Sequence, residues 1–145
     1  MEPKVIKRAD GEALDVQGDR LRLKLGGSDT DRQFCVTEHH FDPGSGSPRH
    51  IHDGFDHLAY ITAGGFRFSI GTNEQDLSTG DLVLVPRGTP HSFSALGSNT
   101  STMLVVTFPA DLEDLMADLS SLPGPPFNPK DVSETLGRHG TRQVE

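Results

Sequence analysis

Gly44-Ser45-Gly46-Ser47-Pro48-Arg49-His50-Ile51-His52-Asp53-Gly54-Phe55-Asp56-His57 is the stretch on which the reading of this chain turns. It opens on turn-forming glycine and serine, then sets His50 and His52 one residue apart. On a β-strand, side chains two positions apart leave the same face. The two imidazoles then stand roughly 7 Å apart at Cβ and can converge on one ion. His57 follows across the Asp53-Gly54 turn, where a neighbouring strand begins. A distant His91 opens another short apolar stretch after Pro86-Arg87-Gly88-Thr89-Pro90. Imidazole nitrogen suits Zn, Cu, Fe, Ni and Co. An isolated pair of histidines is a weak signal; the third and fourth strengthen it.

Outward from this stretch, apolar and polar residues alternate from 21 to 108. Leu21-Arg22-Leu23-Lys24-Leu25 is the cleanest case, followed by Phe34 to Phe41, Leu58 to Thr62, Phe66 to Ile70, Leu82 to Pro86, His91 to Ala95 and Met103 to Phe108. Gly-, Asn- and Pro-containing turns separate them, which predicts an all-β jelly-roll barrel or sandwich of about eight to ten strands. After Pro109 the pattern changes. Leu112, Leu115, Met116 and Leu119 form one helical stripe, with Asp111, Glu113 and Asp114 in the first turn. This predicts a helix capping the outside or one mouth of the barrel. Asn128-Pro129 begins a second short helix, stopped by Gly137, and residues 138–145 are expected to be loose. The chain reads as one domain, 1–145, with a barrel core over about 20–108 and a helical extension over 109–145.

The histidine spacing resembles that of the cupin superfamily. The first cupin motif, G-x5-H-x-H-x(3,4)-E-x6-G, is matched by Gly44, His50, His52, residue 57 and Gly64. The second, G-x5-P-x-G-x2-H-x3-N, is matched by Gly80, Pro86, Gly88 and His91, with Ala95 in the last place. The stretch from Gly80 to His91 looks like that of small single-domain cupins of the quercetin-dioxygenase-like group. The resemblance implies a metal site made by His50, His52, His57 and His91. It departs from the family at residue 57, where the usual glutamate is histidine. Asp56 is adjacent, but strand alternation turns it outward if His57 faces in.

Four neutral imidazoles leave a divalent ion its full charge, which strengthens it as a Lewis acid and disfavours a ferric state. That points away from oxygen activation and towards carbonyl polarisation. Zinc is the first candidate, with Ni, Co, Cu or Fe as others. Small monocupins similar to this chain include aromatic polyketide cyclases, so the expected activity is metal-dependent aldol cyclisation of a poly-β-keto chain. The alternatives are a cupin dioxygenase acting on a flavonol or diketone, and a non-enzymatic cupin that binds a metal or small ligand.

Alternation assigns Ala59, Ile61 and Phe93 to the pocket wall. Of His39 and His40, one must point inward as a base or as a support for a ligand; Glu38 shares the face of His40. Asp53 and Asp56 are candidates for orienting a histidine N–H. Arg49 and Arg87 read as solvated turn residues, and His139 as a residue without a role.

Composition sets the remaining bounds. The formal net charge is −8 and the basic residues are scattered, so nucleic acid is not an expected partner. No run approaches the roughly 18 apolar residues of a membrane span. The first ten residues lack a hydrophobic signal segment, and the single cysteine, Cys35, lies in an apolar run. Both suit a cytoplasmic protein. The resemblance implies a homodimer, with Leu21 to Leu25 as a candidate edge for pairing.

Overall fold

The computed structural model describes all 145 residues. Its strands are β1 (Glu12–Val16), β2 (Asp19–Leu25), β3 (Cys35–Phe41), β4 (Gly46–His52), β5 (Asp56–Ala63), β6 (Gly65–Ile70), β7 (Asn73–Ser78), β8 (Leu82–Val85), β9 (His91–Ala95) and β10 (Ser101–Phe108). Helices α1 (Leu112–Ser120) and α2 (Pro129–Arg138) follow, and β11 (Thr141–Gln143) comes last. Six strands form one antiparallel sheet in the order β1-β2-β3-β10-β5-β8, and five form the other as β11-β4-β9-β6-β7. The expectation of an all-β jelly roll with two short helices holds.

Alternation explains which side chains meet. On β3, Cys35, Thr37, His39 and Phe41 are buried; on β10, Ser101, Met103, Val105 and Thr107 are. Phe41 meets Phe93 and Phe66 edge-on, with ring centroids 5.1 and 5.9 Å apart. Such contacts join the two sheets into one apolar core.

The alternation starts earlier than Leu21. β1 and β2 form a hairpin whose two-residue turn, Gln17-Gly18, has positive φ at both positions (55° and 93°). This is the turn whose twist suits adjacent antiparallel strands. β2 is therefore interior, not the edge expected for pairing with a partner; the edges of its sheet are β1 and β8.

The helices close the barrel at one end. Leu112, Leu115 and Leu119 of α1 are buried, as their spacing predicts, and Glu113 accepts a hydrogen bond from the Gly27 N–H at 2.7 Å. Asn128 caps α2 by accepting from the N–H groups of Lys130 and Asp131. Gly137 does not stop this helix, which runs on to Arg138; Gly140, with φ 68°, turns the chain instead. The tail expected to be loose then forms β11, paired with β4. His139, expected to have no role, lies 2.6 Å from Asp118 and ties the end of α2 to α1.

Candidate metal centre

Three strands bring four histidines to one place. β4 supplies His50 and His52, β9 supplies His91 directly opposite His50, and β5 supplies His57. Ring centroids are 4.2 Å apart for His50 and His91, 4.7 Å for His50 and His52, and 4.9 Å for His57 and His91. Ring nitrogens of His50, His52 and His91 all lie within 4.8 Å of one another. His57 stands beside this triplet, 5.5 Å from His52 between centroids.

The second nitrogen of each ring is managed individually. His50 Nδ1 donates to the Pro48 carbonyl at 2.7 Å, and His91 Nδ1 donates to the Thr89 carbonyl at 2.9 Å. A carbonyl can only accept, so both neutral rings carry their proton on Nδ1 and present an Nε2 lone pair. His52 Nδ1 lies 2.7 Å from the Thr141 hydroxyl. His57 Nδ1 is buried and has no partner.

Burial lowers the proton affinity of all four. It pushes His57 down to about 3 and His91 to about 4, with neighbouring imidazoles adding to the effect. His50 is lowered by burial, and His52 still further by burial and by the other histidines. At neutral pH the cluster is uncharged, the form in which imidazole binds a metal ion. Three close nitrogens, two of them on rings whose lone pairs are fixed, and one orphaned buried nitrogen fit a divalent transition-metal ion.

Asp56 faces away from the cluster. Its carboxylate accepts from the Arg87 backbone N–H at 2.8 Å and from the guanidinium at 3.1 and 3.0 Å. Arg87 is thus paired, not merely solvated. Arg49 is also engaged, donating to the Gly71 carbonyl at 2.6 Å and to Ser69 Oγ at 3.3 Å. Asp53 orients no histidine; it accepts from Arg142 at 3.3 Å. The orienting groups are Pro48, Thr89 and Thr141.

The cluster opens on a cavity of about 190 Å³. Ala59 and Phe93 line it, together with Phe68, Met103 and side chains of both helices. Ile61 does not; it is fully buried in the core. His39 lines the cavity, and His40 faces outward, bonded to Glu38 Oε1 at 2.9 Å and Thr102 Oγ1 at 3.3 Å. That excludes His40, with Glu38, from contact with anything inside the barrel.

His39 is held on both sides, with Nδ1 2.7 Å from Asp19 Oδ2 and Nε2 2.8 Å from Thr37 Oγ1. Asp19 also lines the cavity, and its Oδ1 is buried without a partner. The alternation of Leu21 and Leu23, carried back one step, points Asp19 inward; a reading that begins the strand at Leu21 misses it.

The family model for the AraC-like ligand binding domain matches residues 34–143. The chain belongs to this family. Its fold is the cupin jelly roll, shared with a solved RmlC-like cupin at a TM-score of 0.64 and 17% identity. The pectin degradation protein KdgF of Dickeya dadantii (strain 3937) is 30% identical to this cupin over 100 residues, 68% of this chain and 86% of that protein. The structure of KdgF from Halomonas sp. superposes with a TM-score of 0.67 at 21% identity, covering 74% of this chain and 94% of that one. The polyketide cyclase RemF from Streptomyces resistomycificus superposes with a TM-score of 0.65 at 24% identity, covering 74% and 80%. At these identities the two structures establish the cupin's fold. No helix of this cupin is long and apolar enough to cross a membrane.

Proposed function

We propose that this cupin is a metal-dependent enzyme that closes rings in a poly-β-keto compound of the aromatic polyketide kind, with His50, His52, His57 and His91 holding zinc. The observation that carries the proposal is a buried, neutral histidine cluster facing the same cavity as the Asp19–His39 pair. The resident ion supplies Lewis-acid polarisation of a carbonyl oxygen. The other tasks fall to the chain. Asp19 Oδ1 accepts a proton from the carbon between two carbonyls, and the C–H electron pair moves into the adjoining carbonyl as an enolate. That carbon bonds to a second carbonyl carbon of the same substrate, whose oxygen takes the proton back from Asp19, and loss of water with a second proton from the ring carbon completes the ring. His39 fixes the orientation of the Asp19 carboxylate. Phe68, Phe93 and Met103 exclude water, which keeps these electrostatic interactions strong.

Cavity size limits how much substrate is enclosed. An apolar cavity of about 150 Å³ holds one benzene, so about 190 Å³ takes little more than one ring at a time. The rest of a long chain extends through the mouth.

The likeness to the pectin degradation protein favours a second reading, a small carbonyl compound derived from a carbohydrate. A compound of that size matches a cavity of about 190 Å³ better than a long polyketide chain does, and its enolisation would call on the same Asp19–His39 pair. Zinc-loaded protein is tested with a minimal polyketide synthase and with the products of pectin breakdown. A changed polyketide product pattern supports the first reading, and consumption of a pectin breakdown product supports the second. Oxygen uptake by Fe- or Cu-loaded protein with a flavonol supports a dioxygenase. Stoichiometric binding without turnover of any substrate leaves a ligand-binding cupin. We further propose a cytoplasmic homodimer.

A further inference from the structure

His50, His52 and His91 obtain their orienting partners in two different ways. His50 and His91 each use the carbonyl two residues earlier, Pro48 and Thr89. Those partners are present whenever the local strand forms. His52 depends on a hydroxyl 89 residues away, that of Thr141. β11 delivers it: Thr141 stands directly opposite His52 in the ladder and is only 2% exposed. The strand is anchored on both sides, since the Asp53 N–H donates to the Gly140 carbonyl at 2.8 Å and the Val144 N–H donates to the Arg49 carbonyl at 3.0 Å.

The proton positions follow from donor and acceptor counting. His50 carries its proton on Nδ1, so His50 Nε2 is an acceptor. His52 Nε2 lies 3.1 Å from it, within hydrogen-bond distance. The donor of that bond is therefore His52 Nε2–H. Neutral His52 then has a bare Nδ1, which accepts from the Thr141 hydroxyl. A metal ion needs the opposite arrangement, with a lone pair on His52 Nε2 and the proton on Nδ1.

We propose that Thr141 is a positioning residue for a tautomer switch at His52, resting on the reading of this cluster as a metal site. In the metal-free protein Thr141 Oγ1 donates to His52 Nδ1, and in the metal-bound protein it rotates to accept from Nδ1–H. The N–H bond at Nε2 breaks and one at Nδ1 forms, so the ring gains and loses one proton and its charge is unchanged. A carbonyl in this place would enforce one tautomer. A hydroxyl can donate or accept, so it serves both states without leaving a buried nitrogen unpaired. The C-terminal strand is thereby part of the metal centre, although it lies outside both histidine motifs.

The test combines nitrogen-15 NMR of the histidine rings with zinc affinity measured by chelator competition. Metal-free wild-type protein at pH 7.5 is expected to show His50 protonated on Nδ1 and His52 protonated on Nε2. Zinc is expected to move the His52 proton to Nδ1. Thr141→Val, which keeps the shape and removes the hydroxyl, is expected to bind zinc about 10- to 100-fold more weakly. Thr141→Ser is expected to restore affinity to within about threefold. Metal-free His52 found protonated on Nδ1, or a folded T141V protein with wild-type zinc affinity, overturns the proposal. If T141V does not fold, the wild-type spectra and T141S decide. Wild-type protein that binds no zinc refutes the metal reading itself and with it the switch. The metal-free spectrum then still reports whether His52 and Thr141 pair as described.

Discussion

Asp56 and His57 are consecutive on β5 and their side chains leave it on opposite sides: Asp56 clasps Arg87, while the His57 ring packs 4.9 Å from that of His91. The acidic side chain adjacent to His57 in sequence is thereby withdrawn from the cluster. The Arg87 guanidinium and backbone N–H beside Asp56 hold its carboxyl below the usual carboxylate range.

His57→Glu returns a negative ligand to the position next to the triplet. We expect metal analysis after expression in mixed-metal medium to show a shift from zinc towards iron. Ring closure is expected to fall about tenfold or more. Unchanged metal content and activity would show that the neutrality of the site has no chemical consequence.

Asp19→Asn keeps the size of the side chain and removes its ability to take a proton. Product formation is expected to drop about 10²- to 10⁴-fold with no change in zinc stoichiometry. A parallel loss of zinc would assign Asp19 a purely structural part. His39→Gln, which keeps a polar side chain but loses the ring, is expected to give a smaller loss.

Acid is expected to destabilise the metal-free protein earlier than its carboxylates alone require. His57 and His91 are held neutral in the fold, at about 3 and about 4, and return to about 6.5 when the chain unfolds. Between these values the unfolded chain binds more protons, so stability falls as pH falls. The contribution is fully present above about pH 7 and shrinks below it, by about 1.4 kcal/mol per pH unit for each fully engaged histidine. Urea melts from pH 7.5 to 4.5, with and without zinc, check this. The two curves are expected to diverge most at neutral pH, because protons compete with zinc for the same nitrogens.

Tyr60, Leu82 and Leu84 are exposed on the outer face of β5 and the edge strand β8. Edge strands invite pairing, and exposed large apolar side chains grouped together mark contact surfaces. Size-exclusion chromatography with light scattering is expected to give twice the 15.7 kDa chain mass. Leu84→Lys is expected to give the monomer with the fold intact by circular dichroism. A wild-type monomer rules out the dimer.

Much of this architecture is written in period-2 alternation, and the unread parts share a physical cause. Alternation registers only where one face of a strand is dry. β7, Asn73-Glu74-Gln75-Asp76-Leu77-Ser78, is exposed at all but Leu77, so it carries almost no periodic signal. β11 is three residues long, and its place comes from the hydrogen bonds β4 offers. β1 and β8 are the opposite edges of the other sheet; β8 was legible because it is apolar throughout. The histidine cluster was legible because its spacing repeats a two-residue strand period. Alternation alone left open which of His39 and His40 faces in, because it does not give the phase of β3. The phase is fixed by Cys35, Thr37 and Phe41, which share the buried face with His39. Thr141 could not have been found by local pattern, since only tertiary pairing brings it to His52.

The two-residue turn at Gln17-Gly18 carries a practical implication. Gln17 reaches the lining of the cavity from the tip of a tight hairpin, and Asp19 lies immediately beyond. Gly18 has φ 93° with open space where a Cβ would sit, so a larger residue there meets backbone strain and no collision. Substitutions at Gly18 therefore bend the tip without crowding the interior. This makes the hairpin a handle for laboratory evolution, since one glycine outside the core can be altered next to the carboxylate at position 19 without filling the pocket.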